Sequence, residues 1–247
     1  VENSFTNIWL NTKVTKINPI DVGIEVHFEG LDGSASQHMF SKLLLSVGRI
    51  PNSDNLGLEN TRIKLDERGY VQVDGQMRTS ESNIFAIGDI VGAALAHTAS
   101  HQGSLVAEIL AGHSKLVFEP RAIPNVVYTD PEIAWCGLTE EQAKAEGIDV
   151  KVARFPWSAS GRATAIARND GLTKMLIDPS TDRILGVGVA GANAGELIAE
   201  GVLAVEMAAL ASDVQLSIHP HPTLSETVME TAEVYYGQSP HLYAPKR

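Results

Sequence analysis

Several classes of protein are closed off by what this sequence lacks. It has one cysteine, Cys136, in 247 residues, so no intrachain disulfide can form and no internal thiol pair is available for redox exchange. So little cysteine fits a reducing compartment, and a cytoplasmic location is the expectation. There is no apolar run long enough to span a bilayer and no basic-then-apolar leader at the start. The chain opens at Val1 in strand-like sequence, as expected of a piece excised from something longer. Basic residues are few: 19 Lys plus Arg against 30 Asp plus Glu give a net charge of −11. Phosphate recognition needs a basic surface, so this balance argues against nucleic acid or anionic membrane as a partner. No Gly-x-Gly-x-x-Gly follows a strand, so neither dinucleotide fingerprint is expected. There is no internal repeat or low-complexity tract.

What is present is ordinary globular material, 44% hydrophobic and 20% charged, with ample length for a core. Residues 1–48 read as strands: Ile8-Trp9-Leu10, Lys13 to Ile17, and Ile24, Val26 and Phe28 alternating with polar neighbours. The apolar run Leu43 to Val47, ending at Gly48, reads as a strand covered on both faces. Residues 49–118 hold Ile84-Phe85-Ala86-Ile87-Gly88-Asp89, read as a buried strand ending in a carboxylate. A helix then opens at Ala94-Leu95-Ala96-His97 and stops near Gly112. A carboxylate at a strand end suits sugar-like hydroxyls, and the N–H groups of a helix start suit negative charge. The plainer reading makes Asp89 a turn residue and His97 a surface histidine.

Residues 119–247 read as strands and helices in separate runs, which is an α+β pattern. Strands are expected over Val126 to Tyr128, Ile133 to Cys136 and Val150 to Pro156. A hairpin is expected from Leu172 to Ile177 and Ile184 to Val189 through Asp178 to Asp182. Thr139-x-x-Gln142 and Ser212-x-x-Gln215 read as capping boxes, and the stripe Ile198, Val202, Val205, Ala209 reads as one buried helix face. The last helix is expected from near Thr223 to Gly237. Cys136 lies in an apolar strand and reads as a small buried hydrophobe.

Ahead of that helix stands His219-Pro220-His221-Pro222-Thr223-Leu224-Ser225-Glu226, the densest chemistry in the chain. A histidine fixed by flanking prolines and followed by a glutamate is a candidate acid/base pair. Two other readings stand beside it. Thr223-x-x-Glu226 is also a capping box, and His219 with His221 are potential metal ligands, although no third donor follows at ligand spacing.

The His-Pro-His-Pro-Thr-Leu-Ser-Glu stretch resembles the C-terminal signature of the pyridine nucleotide-disulfide oxidoreductases. So do Ala86-Ile87-Gly88-Asp89 with Leu95-Ala96-His97, the segment Ser46 to Asn52, and Tyr128 to Trp135. The resemblance spans essentially the whole chain but covers only the C-terminal part of the family's pattern. No Cys-x-x-x-x-Cys is present, and Thr98 stands where many members have a lysine. The resemblance implies His221 as catalytic base with Glu226 as its hydrogen-bond partner, and a cis peptide at His221-Pro222. It implies Asp89 on the ribityl chain of FAD, Ala94, Leu95, Ala96 and His97 beside the flavin ring, and the Gly48 backbone near the nicotinamide cofactor, NAD.

The implied architecture is α+β. An interface domain of antiparallel sheet plus helices, residues 119–247, would dimerise, preceded by partial nucleotide-binding α/β segments at 1–48 (NAD) and 49–118 (FAD). The implied activity is oxidation of a dithiol through a disulfide and FAD to NAD, with each site built from two chains and the isolated chain silent. Leu224-Ser225 favours members acting on the lipoyl group of a 2-oxo acid dehydrogenase complex over glutathione reductase-like members. The tail from His241 to Arg247 lacks the cysteines of a mercury reductase. A non-catalytic dimerisation module is a third reading, weakened by intact His221, Glu226 and Asp89.

Overall fold

The computed structural model describes residues 5–93, 95–113 and 115–242. The first body is a meander of three antiparallel strands, β1 (Thr12–Ile20), β2 (Gly23–Gly30) and β3 (Ala35–Phe40), in the order β1-β2-β3. Ile20 pairs with Gly23 across a two-residue turn, which fixes the register of the first hairpin. The strand expected around Ile24, Val26 and Phe28 forms, with Val26 fully buried, while Ile24 and Phe28 are half-buried like Glu25 and His27 between them. Trp9 lies over this sheet, 5.2 Å from the Phe28 ring and 4.8 Å from the His38 ring.

Leu43 to Val47 corrects the expectation of a doubly covered strand. The segment is loop, and Leu44, Leu45 and Val47 are 89, 64 and 91% exposed. A strand exists only where a neighbour takes up its N–H and C=O groups, and this run pairs with none of the described strands.

The second body is held largely by local polar turns. Asp66 Oδ1 accepts from the Arg68 and Tyr70 amides at 2.8 and 2.9 Å, and Asp74 Oδ1 accepts from those of Gln76 and Arg78 at 2.8 and 3.0 Å. Ile84 to Asp89 is not a buried strand either. It makes a single bridge, Arg78 with Phe85, and passes into a 3-10 turn at Gly88–Val91. Helix α1 (Ala96–Leu110) follows, close to where the sequence placed it.

The third body is a five-stranded antiparallel sheet in the order β4-β5-β8-β7-β6. Its strands are β4 (Asn125–Val127), β5 (Glu132–Gly137), β6 (Lys151–Pro156), β7 (Leu172–Ile177) and β8 (Ile184–Gly191). The α+β expectation holds here. Helices α2 (Glu140–Glu146) and α3 (Gly161–Ala165) lie between strands, while α4 (Ala194–Glu206), α5 (Ala211–Leu216) and α6 (Glu226–Tyr236) follow the sheet. Helix α4 packs on β5 and β8, and α6 on β6 and β7. Phe155, Trp157, Met175, Ile177, Val187, Ile198 and Val228 fill the core between them, each no more than 3% exposed.

Local signals held in part. Thr139 and Gln142 form the expected reciprocal cap of α2. The start of α5 lies earlier than the Ser212-x-x-Gln215 reading: Asp213 Oδ2 accepts from the Leu210 amide at 2.8 Å, so the carboxylate at the third helical position sets the start. Gly186-Val187-Gly188-Val189-Ala190-Gly191 carries the Gly-x-Gly-x-x-Gly spacing, but inside β8 rather than after a strand. A Cβ on Gly186 would lie 2.0 Å from the Leu138 carbonyl oxygen, so close packing, not phosphate binding, explains a glycine there. Cys136 is buried as read from sequence, and burial pushes its thiol up to about 11.

The residues after α6 fold back onto it. The buried Glu230 carboxylate accepts from Ser239 Oγ at 2.8 Å and pairs with His241 Nδ1. Glu233 Oε2, beside it, is buried without a hydrogen-bond partner among the described residues. Burial first, and the neighbouring Glu230 charge second, hold the Glu233 carboxyl above the usual carboxylate range. An acid whose folded pKa is raised binds more protons in the native state, so its ionisation removes stability as pH rises above the unfolded value. Glu233→Gln, whose amide can donate to Glu230, is therefore expected to raise the Tm by about 1–3 °C at pH 8. Below pH 4 the gain disappears; an equal gain at both pH values in thermal melts would contradict this account.

Candidate active site

The last helix carries the acid/base candidate. The His221-Pro222 peptide is cis, as the resemblance implied. Helix α6 begins at Glu226, three residues later than expected from Thr223, because the Glu226 side chain turns back over the preceding loop. Its Oε1 accepts from His221 Nδ1 at 2.9 Å and its Oε2 from the Thr223 amide at 2.7 Å. The orienting bond of Glu226 is thus realised, and its other oxygen holds the Thr223 amide, but Thr223 does not cap α6, whose N-cap is Ser225 with no side-chain cap bond. The Thr223 hydroxyl takes no part in capping and donates to the Pro220 carbonyl at 2.7 Å.

The Glu226 side chain is 19% exposed and that of His221 is 75% exposed. A carboxylate can only accept, so Nδ1 carries the proton in this pair, and Nε2 has no hydrogen-bond partner among the described residues. His219 differs in every respect. Its side chain is 8% exposed, with Nε2 on Glu200 Oε1 and Nδ1 on the Ser217 carbonyl, both at 2.8 Å. Both of its ring nitrogens are occupied by protein partners, leaving neither for a metal. Among the described residues no group of three or more His, Cys, Asp or Glu is placed to hold a metal ion.

The second candidate group lies at the start of α1. Gly88, at φ +76°, turns the chain, and its amide donates to the buried Gln102 Oε1 at 2.7 Å. A Cβ on Gly88 would come within 3.1 Å of Ala99 Cβ, so glycine lets the Gly88-Asp89 turn sit against α1. Asp89 is exposed and meets Arg49 Nη1 at 3.2 Å, which brings the Gly48 segment beside it. Gly48 has φ +116° and no atom of the described residues within 4 Å of where its Cβ would stand. Helix α1 has no side-chain cap at Leu95 and no acidic residue in its first turn. An open carboxylate, an uncapped helix start and a glycine turn between them fit a ligand with sugar-like hydroxyls and an electron-rich ring edge.

Ala94 lies outside the described residues. Ala96 is exposed, and the His97 ring bonds the Pro124 carbonyl at 3.0 Å, so that side chain ties α1 to the third body. Thr98 is buried with its Oγ1 unpartnered among the described residues. Arg49 and Gln102 were not singled out from sequence; their roles depend on contacts across 40 and 14 residues, which no local pattern carries.

Two family models match the chain. Residues 2–103 match "Pyridine nucleotide-disulphide oxidoreductase", and residues 123–232 match its "dimerisation domain". The chain belongs to the pyridine nucleotide-disulfide oxidoreductases. It is 47% identical over 232 residues to the dihydrolipoyl dehydrogenase of Vibrio cholerae, covering 94% of this chain and 49% of that protein. With the dihydrolipoyl dehydrogenase of Geobacillus stearothermophilus it shares 48% identity over 221 residues, 89% of this chain and 47% of the relative. The fold is similar to that of a HOCl-induced flavoprotein disulfide reductase of Escherichia coli, at a TM-score of 0.81 and 28% identity. That match covers 90% of this chain and 50% of the reductase. The chain therefore spans about half the length of the relatives it matches.

Proposed function

We propose that this chain is the C-terminal portion of a cytoplasmic dihydrolipoyl dehydrogenase, oxidising dihydrolipoamide with FAD as cofactor and NAD as acceptor. The overall change is dihydrolipoamide plus NAD to lipoamide, NADH and a proton. The observation that carries the reading is the His221–Glu226 pair, with Nδ1 held at 2.9 Å and Nε2 left open on an exposed ring. A substrate thiol reaching Nε2 transfers its proton there, leaving a thiolate, the nucleophilic form. Glu226 keeps the ring in the tautomer that can accept, then stabilises the imidazolium that forms.

Asp89 and the start of α1 are the residues that would hold FAD, which when bound relays the two electrons of the dithiol towards NAD. Gly48 would approach the NAD side. The disulfide that takes electrons from substrate lies outside these 247 residues, since Cys136 is the one cysteine here and is buried. The match to a dimerisation domain supports a homodimer in which the pair of one subunit serves the disulfide and flavin of the other. The natural substrate would be the lipoyl group of a 2-oxo acid dehydrogenase complex. A glutathione reductase-like activity is the second reading, since the same pair would serve another thiol.

The test is NADH formation from dihydrolipoamide and NAD, with FAD, by the gene product extended upstream of Val1. Activity in the extended protein and none in this 247-residue chain is the expected result. NADH formation by the chain alone would refute the shared-site reading. Inactivity of both, with turnover of glutathione disulfide, would move the assignment to the second reading.

A further inference from the structure

A buried chain of hydrogen bonds runs from the sheet to the root of the His221–Glu226 pair. Trp157 Nε1 donates to Thr173 Oγ1 at 2.9 Å, Thr173 Oγ1 meets Thr227 Oγ1 at 2.8 Å, and Thr227 Oγ1 donates to the Leu224 carbonyl at 2.7 Å. Trp157, Thr173 and Thr227 are all 0% exposed. The ends of the chain fix its direction. An indole N–H only donates and a carbonyl only accepts, so each hydroxyl has one proton and one possible use for it. Thr227 gives its proton to Leu224, and therefore Thr173 must give its own to Thr227. Such a chain of aligned donors is mutually polarised and resists reorientation.

Leu224 and Thr227 bracket Glu226. The Leu224 carbonyl also accepts the Thr227 amide at 3.0 Å, so Thr227 grips it twice and closes the first turn of α6 over the glutamate. Thr231 Oγ1 then donates to the Thr227 carbonyl at 2.7 Å, continuing the hold along the helix. Valine has the branched shape of threonine but no hydroxyl, so what threonine adds at 173 and 227 is the hydrogen bonding.

We propose that Thr227 and Thr173 are positioning residues for the acid/base pair, fixing through Leu224 the helix turn from which Glu226 holds the His221 ring. The proposal rests on the acid–base reading above but is testable without it. Nitrogen-15 NMR of the His221 ring in the 247-residue chain reports which ring nitrogen carries the proton, with no turnover involved. The parent should show the Nδ1–H tautomer. Thr227→Val should shift the tautomer ratio about tenfold towards Nε2–H, roughly the effect of one net hydrogen bond. Thr227→Ser, which keeps the hydroxyl, should restore it, and Thr173→Val should give a smaller shift because Thr227 still reaches Leu224.

In the upstream-extended protein loaded with FAD, Thr227→Val should lower kcat about tenfold with KM changed less than about twofold, and Thr227→Ser should return it. A folded Thr227→Val whose His221 keeps the parent tautomer overturns the proposal whatever its activity. If that variant does not fold, an unchanged tautomer in Thr173→Val overturns it. Glu226→Gln touches the ring directly; if it leaves kcat at the parent value, the acid–base reading fails while the tautomer result stands by itself.

Discussion

Replacing His221 by Gln in the upstream-extended protein is expected to lower kcat for dihydrolipoamide oxidation by about 10²–10⁴, the range for loss of a positioned general base. The glutamine amide can still donate to Glu226 Oε1, so the loop from His219 to Thr223 keeps its anchor while the basic nitrogen is lost. Flavin content should be unchanged, because no hydrogen bond or ion pair among the described residues links the Asp89 group to the His221 group. Glu226→Gln is expected to cost roughly 10²-fold. The two oxygens of Glu226 accept from two donors, His221 Nδ1 and the Thr223 amide. A glutamine offers a single acceptor oxygen, so one donor is left facing an NH₂ group. Steady-state kinetics on FAD-saturated protein decide the matter: His221→Gln within threefold of the parent kcat would remove the base assignment.

A large effect on stability is expected at Gly171, which has no part in the chemistry. A Cβ there would stand 2.1 Å from Trp157 Cδ2 and 2.2 Å from Cε3. A Cβ on Gly191, across from it, would stand 2.3 Å from Cζ3 and 2.8 Å from Cε3 of the same ring, so the indole packs against two positions with no side chain. Trp157 is fully buried, its amide donates to the Gly171 carbonyl at 2.9 Å, and its Nε1–H is held by Thr173. The ring has nowhere to retreat.

Gly171→Ala should therefore cost about 3 kcal/mol or more, the upper part of the range for overpacking. Thermal unfolding of the chain should show a Tm lower by about 6–12 °C. Gly161→Ala is the matched control. Nothing lies within 4 Å of its Cβ and it starts α3, so its Tm should hold or rise slightly. A Tm within 2 °C of the parent for Gly171→Ala would show that the indole pocket can relax. Because the same indole begins the hydrogen-bond chain to Thr227, the cost of the clash would reach the acid/base pair as well.

Wherever structure is governed by neighbours in sequence, the reading from residues came close. The Thr139–Gln142 cap, the hairpin around Asp178 to Asp182 and the stop of α6 at Gly237 rest on side-chain-to-backbone bonds and backbone conformations within a few residues. Gly237, at φ +69°, ends the helix where a glycine was expected to end it. The two apolar runs misread as buried strands, Leu43 to Val47 and Ile84 to Ile87, have the composition of such strands, but the first pairs with none of the described strands and the second makes only the single bridge from Phe85 to Arg78. An apolar run states only that burial is favourable; whether a strand forms depends on another strand lying alongside.

The sequence by itself determined which groups have the chemistry: a histidine between two prolines with a glutamate five residues on, an aspartate after glycine, and a single inert cysteine. Rigid proline spacing and short-range hydrogen bonding make those relations local, so they survive without knowledge of the fold. Tertiary structure alone decided which of the two imidazoles is free. His219 is tied to Glu200 of α4 and His221 is open, a difference set by a helix 19 residues away in sequence. It also decided that Arg49 reaches Asp89 and that an indole in the sheet anchors the turn beneath Glu226. These contacts arise when separate elements pack, and packing of distant elements leaves no period or spacing in a sequence.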